Sequence, residues 1–135
     1  LMQENRRFKE TLIFLKERTL SFKNAFEGLA YSLKTQKNAW IHATISIFVV
    51  VLSFLFELNL QEWIPIVIVI GLVWMAELLN TVLETMVDII SPEIHPLAKI
   101  AKDVGAAFVL IAAILSVLVG GMIFIPKLIE LFNNL

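Results

Sequence analysis

Four polar residues, Glu77, Asn80, Glu84 and Asp88, stand in "AELLNTVLETMVD", residues 76–88, inside one of the most apolar stretches of the chain. At about 100° per residue, Glu84 and Asp88 fall about 20° to either side of Glu77, so a helix stacks three carboxylates on one stripe. Acids so placed suit three kinds of chemistry: taking a proton from a hydroxyl, coordinating a hard divalent cation, or relaying protons and cations. A lone intramembrane acid can be a protonated, hydrogen-bonded packing residue. Three on one stripe, with Asn80 and Thr81 beside them, repel one another unless a cation or a proton offsets the charge.

A second polar group follows. The segment "SPEIHPLAKIAKDVG", residues 91–105, brings Glu93, His95, Lys99, Lys102 and Asp103 to the open end of the acid stripe. Lys102 can meet a phosphate, and Glu93 with His95 can exchange hydrogen bonds with a polar ligand. Taken alone, a charged connecting loop defines no site. The chain has no cysteine, which removes disulfides, zinc-thiolate centres and a thiol nucleophile together. The glycine-rich phosphate loops of the common soluble kinases are absent as well. His42, at the start of an apolar stretch, reads as a satisfied structural histidine.

The elements that must position these groups are set by composition. With 59% hydrophobic residues, 17% charged residues and a mean hydropathy of +0.83, the chain reads as an all-α integral membrane protein of one domain, 1–135, with no internal repeat. A net charge of −1 gives no case for a nucleic-acid partner. Three stretches meet the requirement of about 20 predominantly apolar residues: 39–58, 63–90 and 104–125, the last without a charged residue. No cleavable leader is expected, because the first apolar segment starts far into the chain and lacks a small-residue cleavage site. Residues 1–38 hold eight of the eleven Lys and Arg residues, and Phe22, Phe26, Leu29 and Leu33 recur there at helical spacing. That pattern predicts an amphipathic helix lying on the bilayer surface.

Orientation comes from the same cations. The connection between the first two spans carries no Lys or Arg, whereas residues 91–103 carry Lys99 and Lys102, so the N-terminus and the 91–103 connection are expected in the cytoplasm. Glu77 is then deeper in the bilayer than Asp88 by roughly 16 Å of helix. In the third span Gly105, Ala112, Ser116 and Gly120 share one side, a small-residue row suited to close helix approach. Three spans do not easily enclose a polar stripe, so a second chain is expected to help cover the acids.

The stretches "AELLNTVLETMVD" and "AKDVGAAFVLIAA" resemble the prokaryotic diacylglycerol kinase and undecaprenol kinase family. Its signature, Glu-x-x-Asn-(Ser/Thr)-x-(Ile/Leu)-Glu-x-x-x-Asp followed by Ala-Lys-Asp, is matched by Glu77, Asn80, Thr81, Leu83, Glu84, Asp88, Ala101, Lys102 and Asp103. The resemblance runs from about Arg18 to Lys127. It implies a homotrimer of three-span subunits with a surface helix, in a bacterial cell membrane. It also implies the reaction: transfer of the γ-phosphoryl group of ATP, with Mg2+, to the hydroxyl of undecaprenol or of diacylglycerol.

By the same resemblance, Glu77 is the general base, with Asn80 beside it, and Glu84 is a magnesium ligand. Arg18, Asn24, Glu93, His95, Lys102 and Asp103 become nucleotide contacts. Gln36 stands where the family often has a second metal-binding Glu, and its carbonyl can coordinate magnesium without adding charge. Of the two lipids, "IFIPKL" and "TQKN" resemble the branch that uses undecaprenol. The rival reading is a small oligomeric transporter or cation pathway using the same acid stripe, which leaves Lys102 and Asp103 without a purpose.

Overall fold

A computed structural model describes residues 2–91, 93 and 95–134, the side chains of 2–6, 8 and 9 excepted. The described residues form four helices: α1 (Met2–Thr35), α2 (Lys37–Leu55), α3 (Leu60–Ile90) and α4 (Pro96–Asn133). Helices α2, α3 and α4 are each long and apolar enough to cross a bilayer. The chain divides into two units, α1 and the remainder from Gln36 onward. Within the first, α1 is one continuous helix whose Phe22 and Phe26 are exposed.

Gln36 begins the second unit. Its backbone is extended (φ −104°, ψ 116°), and it N-caps α2 without spending its side chain on the cap. At the other end of α2, Glu57 takes a positive φ of 48°. Leu58 N–H then donates to Ser53 O at 3.0 Å and Glu57 N–H to Phe54 O at 3.1 Å, the paired bonds of a left-handed helix stop. Asn59 starts α3 with a capping box: its side chain accepts from the Gln61 and Glu62 amides, and Glu62 Oε2 accepts from Asn59 N–H at 2.9 Å. Glu62 also pairs with Lys127 at 3.2 Å, which ties the start of α3 to the far part of α4.

The second unit is built mainly on α3 packed against α4, with α2 against α3. Val73 and Ala76 of α3 and Val109 and Ala112 of α4 form its buried apolar centre. Small residues there let the helices approach closely. The small-residue row of α4 divides along its length: Gly105 and Ala112 are buried, while Ser116 and Gly120 line an apolar groove. Trp74 Nε1–H donates to Ser46 Oγ at 3.2 Å and satisfies the indole between α3 and α2. Large apolar side chains such as Ile47, Phe48, Ile68 and Val117 face outward, as lipid-facing residues do.

Two helix ends differ from the sequence reading. Residues 96–103, expected within a connecting loop, are the first two turns of α4, because Pro96 occupies the first helical position and His95 caps it. Helix α4 also continues past Pro126, where a stop was expected. The missing proline N–H costs a single backbone bond, and apolar residues on both sides keep the helix favourable.

Candidate active site

Helix α3 carries the acids into three different environments. Glu77 is fully buried, Glu84 is half-buried, and Asp88 is exposed. Glu84 is gripped by two amides: Gln36 Nε2 donates to Oε2 at 2.7 Å and Asn80 Nδ2 donates to Oε1 at 3.0 Å. Asn80 reaches Glu84 through the i,i+4 spacing of a helix. Gln36 reaches it only because the chain breaks there and frees the side chain from capping. A cavity bordered by Asn38, His42, Asn80 and Glu84 opens beside this cluster. Gly105 of α4 stands behind Asn80, where a Cβ would meet Asn80 Oδ1 at 2.6 Å.

Glu77 lies deeper. His42 Nε2 of α2 is 3.7 Å from Glu77 Oε2. Among the described residues, neither carboxylate oxygen of Glu77, nor His42 Nε2, nor Asn80 Oδ1 has a hydrogen-bond partner. His42 is therefore no satisfied structural histidine, which corrects the reading from sequence. Glu77 is enclosed within this chain, whereas Glu84 and Asp88 keep part of their surface open. Thr81 Oγ1 donates to the Glu77 carbonyl at 2.9 Å, one helical turn back.

At the exposed end, Lys102 Nζ donates to Asp88 Oδ1 at 2.5 Å, joining α4 to α3. Lys99 Nζ donates to Asp103 Oδ2 at 2.6 Å, an i,i+4 pair. His95 Nδ1 accepts from Leu97 N–H at 3.2 Å as the α4 cap. Ser91 Oγ donates to the Glu93 carbonyl at 3.2 Å. Asp88, Glu93, His95, Lys102 and Asp103 line one cavity of about 290 Å³. Four of the residues expected to contact nucleotide thus share a cavity, and Asp88, to which no role had been given, is the partner that holds Lys102. The other two, Arg18 and Asn24, lie on α1. Asn24 is exposed, and the Arg18 guanidinium stacks 4.9 Å from the Phe14 ring centre.

Residues 23–124 match the prokaryotic diacylglycerol kinase family. The chain is 42% identical over 108 residues to undecaprenol kinase of Bacillus subtilis, covering 80% of this chain and 88% of that protein. It is 40% identical over 113 residues to diacylglycerol kinase of Synechocystis, covering 83% of this chain and 65% of that protein. Diacylglycerol kinase of Escherichia coli is 31% identical over 107 residues, 74% of this chain and 88% of that one. The three apolar helices and this family match together make the chain a membrane lipid kinase. The chain belongs to the prokaryotic diacylglycerol kinase family, and the cation-pathway reading gives way to it.

Proposed function

We propose that this protein transfers the γ-phosphoryl group of ATP to the hydroxyl of undecaprenol, giving undecaprenyl phosphate, with diacylglycerol, which would give phosphatidic acid, as the other candidate lipid. The observation that carries the reading is the pairing of the buried Glu77 with a separate, amide-held Glu84 seven residues along the same helix. The first is suited to accept a proton in a water-poor setting, and the second to meet charge at the phosphoryl end. The higher identity to the Bacillus subtilis undecaprenol kinase supports undecaprenol, and the Synechocystis relative supports diacylglycerol.

Phosphoryl transfer needs in-line positioning and neutralisation of oxygen charge more than it needs covalent chemistry. In this reading Glu77 takes the proton of the lipid hydroxyl, and Asn80 keeps Glu84 in place. Lys102 leaves Asp88 to meet a phosphate, while Glu93, His95, Asp103, Arg18 and Asn24 contact the nucleotide. His95 caps α4 through Nδ1, so Nε2 is the ring nitrogen assigned to this role.

The donors around Glu84 suit magnesium. Among the described residues no three His, Cys, Asp or Glu side chains converge on a metal position. Magnesium, however, is commonly held by one or two carboxylates together with substrate phosphates. Glu84 supplies a carboxylate, and the orphaned Asn80 Oδ1 and the Gln36 amide supply neutral oxygens. Bound there, the ion would offset charge on the transferring phosphoryl group. The same reading places α1 on the membrane surface, the N-terminus and residues 91–103 in the cytoplasm, and three copies in a trimer. The test is a labelled-ATP assay with undecaprenol and diacylglycerol offered in the same micelles. Label in undecaprenyl phosphate supports the reading, and label in neither lipid overturns it.

A further inference from the structure

His42 has no part in the roles above, yet two independent observations converge on it. Its imidazole is nearly enclosed, with Nε2 3.7 Å from Glu77 Oε2, and both atoms are buried without a hydrogen-bond partner among the described residues. A nitrogen that can donate and a carboxylate that must accept are thus left facing each other. Leaving both unpaired is costly, and 3.7 Å is only somewhat beyond a hydrogen bond of about 2.9 Å. Catalytic contacts of this kind commonly close when substrate binds.

The second observation is where His42 stands. One cavity holds Asn80 and Glu84, and an apolar groove runs away from it past Val49, Leu52, Val69 and Val73. His42 and Ala113 border both, and of these two only His42 has a polar side chain. A lipid alcohol with its chain in the groove and its hydroxyl toward Glu84 therefore passes His42 at the hydroxyl. Glu77 is fully buried and lines neither space, whereas His42, 3.7 Å from its Oε2, lines both.

We propose that His42 is the positioning residue for Glu77: Nε2–H donates to Oε2 and turns Oε1 toward the lipid hydroxyl at the junction of groove and cavity. The inference rests on the lipid-kinase reading of this site. In the step it serves, the hydroxyl O–H bond breaks and its proton goes to Glu77 Oε1. The hydroxyl oxygen forms the new bond to the γ-phosphorus. The bond from that phosphorus to the β,γ-bridging oxygen breaks, and ADP leaves with the electron pair. His42 keeps its own proton throughout.

The test uses the full chain in mixed micelles with labelled ATP and undecaprenol. His42→Leu and His42→Gln are made with Glu77 intact and again with Glu77→Gln. His42→Leu is expected to lower kcat about tenfold or more at unchanged KM for ATP, and His42→Gln, which retains an N–H donor, to recover at least about a third of the wild-type kcat. With Glu77→Gln in place, His42→Leu should cost less than about twofold further, because the residue acts through the carboxylate. A purely structural role would give the same loss in both backgrounds. That result, or Gln no better than Leu, or about half of the wild-type kcat retained by His42→Leu, would overturn the proposal. If His42→Leu does not fold, judged by circular dichroism, His42→Asn replaces it as a donor too short to reach Glu77, and equal kcat for Asn and Gln overturns the proposal. A wild-type protein that labels no lipid overturns the kinase reading and this inference together, whereas an active wild type with additive losses overturns only the role of His42.

Discussion

Gly105 of α4 faces Asn80 of α3 so closely that a Cβ on the glycine would stand 2.6 Å from Asn80 Oδ1 and 3.3 Å from Leu83 Cδ1. Asn80 in turn donates to Glu84 at 3.0 Å, so the helix contact and the placement of the site's carboxylate depend on one another. Gly105→Ala should force Asn80 off its rotamer or move α4 away from α3. Overpacking of this kind typically costs about 1–3 kcal/mol. The expected outcome is a lower unfolding temperature in detergent together with a larger loss of kcat than Ala106→Gly causes. A Gly105→Ala protein with wild-type turnover would show that Asn80 has room to give.

Glu77→Gln removes a base while keeping the size and shape of the side chain. Turnover should fall about 10²- to 10⁴-fold, with nucleotide binding and helical content retained. More than about a tenth of wild-type activity would exclude Glu77 from proton removal.

Glu84 and Gln36 make a prediction about magnesium. Glu84→Ala should raise the magnesium concentration needed for activity sharply, and Gln36→Ala only mildly. Because Gln36 Nε2 donates to Glu84 Oε2 at 2.7 Å, Gln36→Glu replaces that bond with two facing carboxylates. The variant should be less stable than wild type without magnesium, and should regain stability and activity at lower magnesium than wild type requires. Thermal unfolding across a magnesium titration checks both, and identical curves for wild type and Gln36→Glu would remove Gln36 from the metal's surroundings.

Lys102 bridges to Asp88, and phosphate must compete for it. Lys102→Ala should weaken ATP binding roughly tenfold or more through loss of a charge-assisted contact. Asp88→Asn should release Lys102 without removing it, and so leave ATP binding equal or tighter. Nucleotide titration of the solubilised variants separates the two, and equal weakening by both would mean that the ion pair, not the cation, serves the nucleotide.

Glu57 holds a left-handed backbone, φ 48°, at the stop of α2. A non-glycine residue in this region costs about 1–2 kcal/mol, so Glu57→Gly should raise the unfolding temperature in detergent without changing kcat. An unchanged or lower temperature would mean that the Glu57 side chain offsets its backbone cost.

Much of the candidate site is legible in the sequence. The 3.6-residue period places Glu77, Asn80, Glu84 and Asp88 on one side of a helix, and local contacts such as Asn80 to Glu84 and Lys99 to Asp103 are i,i+4 pairs that spacing alone predicts. Hydropathy determined the three apolar helices, since lipid leaves a backbone no partner outside the helix. Only the tertiary structure decided which acid is sealed and which is open. Burial depends on what the neighbouring helices bring to each level: α2 brings His42 to Glu77 and Gln36 to Glu84, while α4 brings Lys102 to Asp88. Those partners lie 35, 48 and 14 residues away in sequence, outside α3. No period within one helix encodes such a match, because it is set by how closely the helices pack, and that closeness turns on the missing side chain of Gly105.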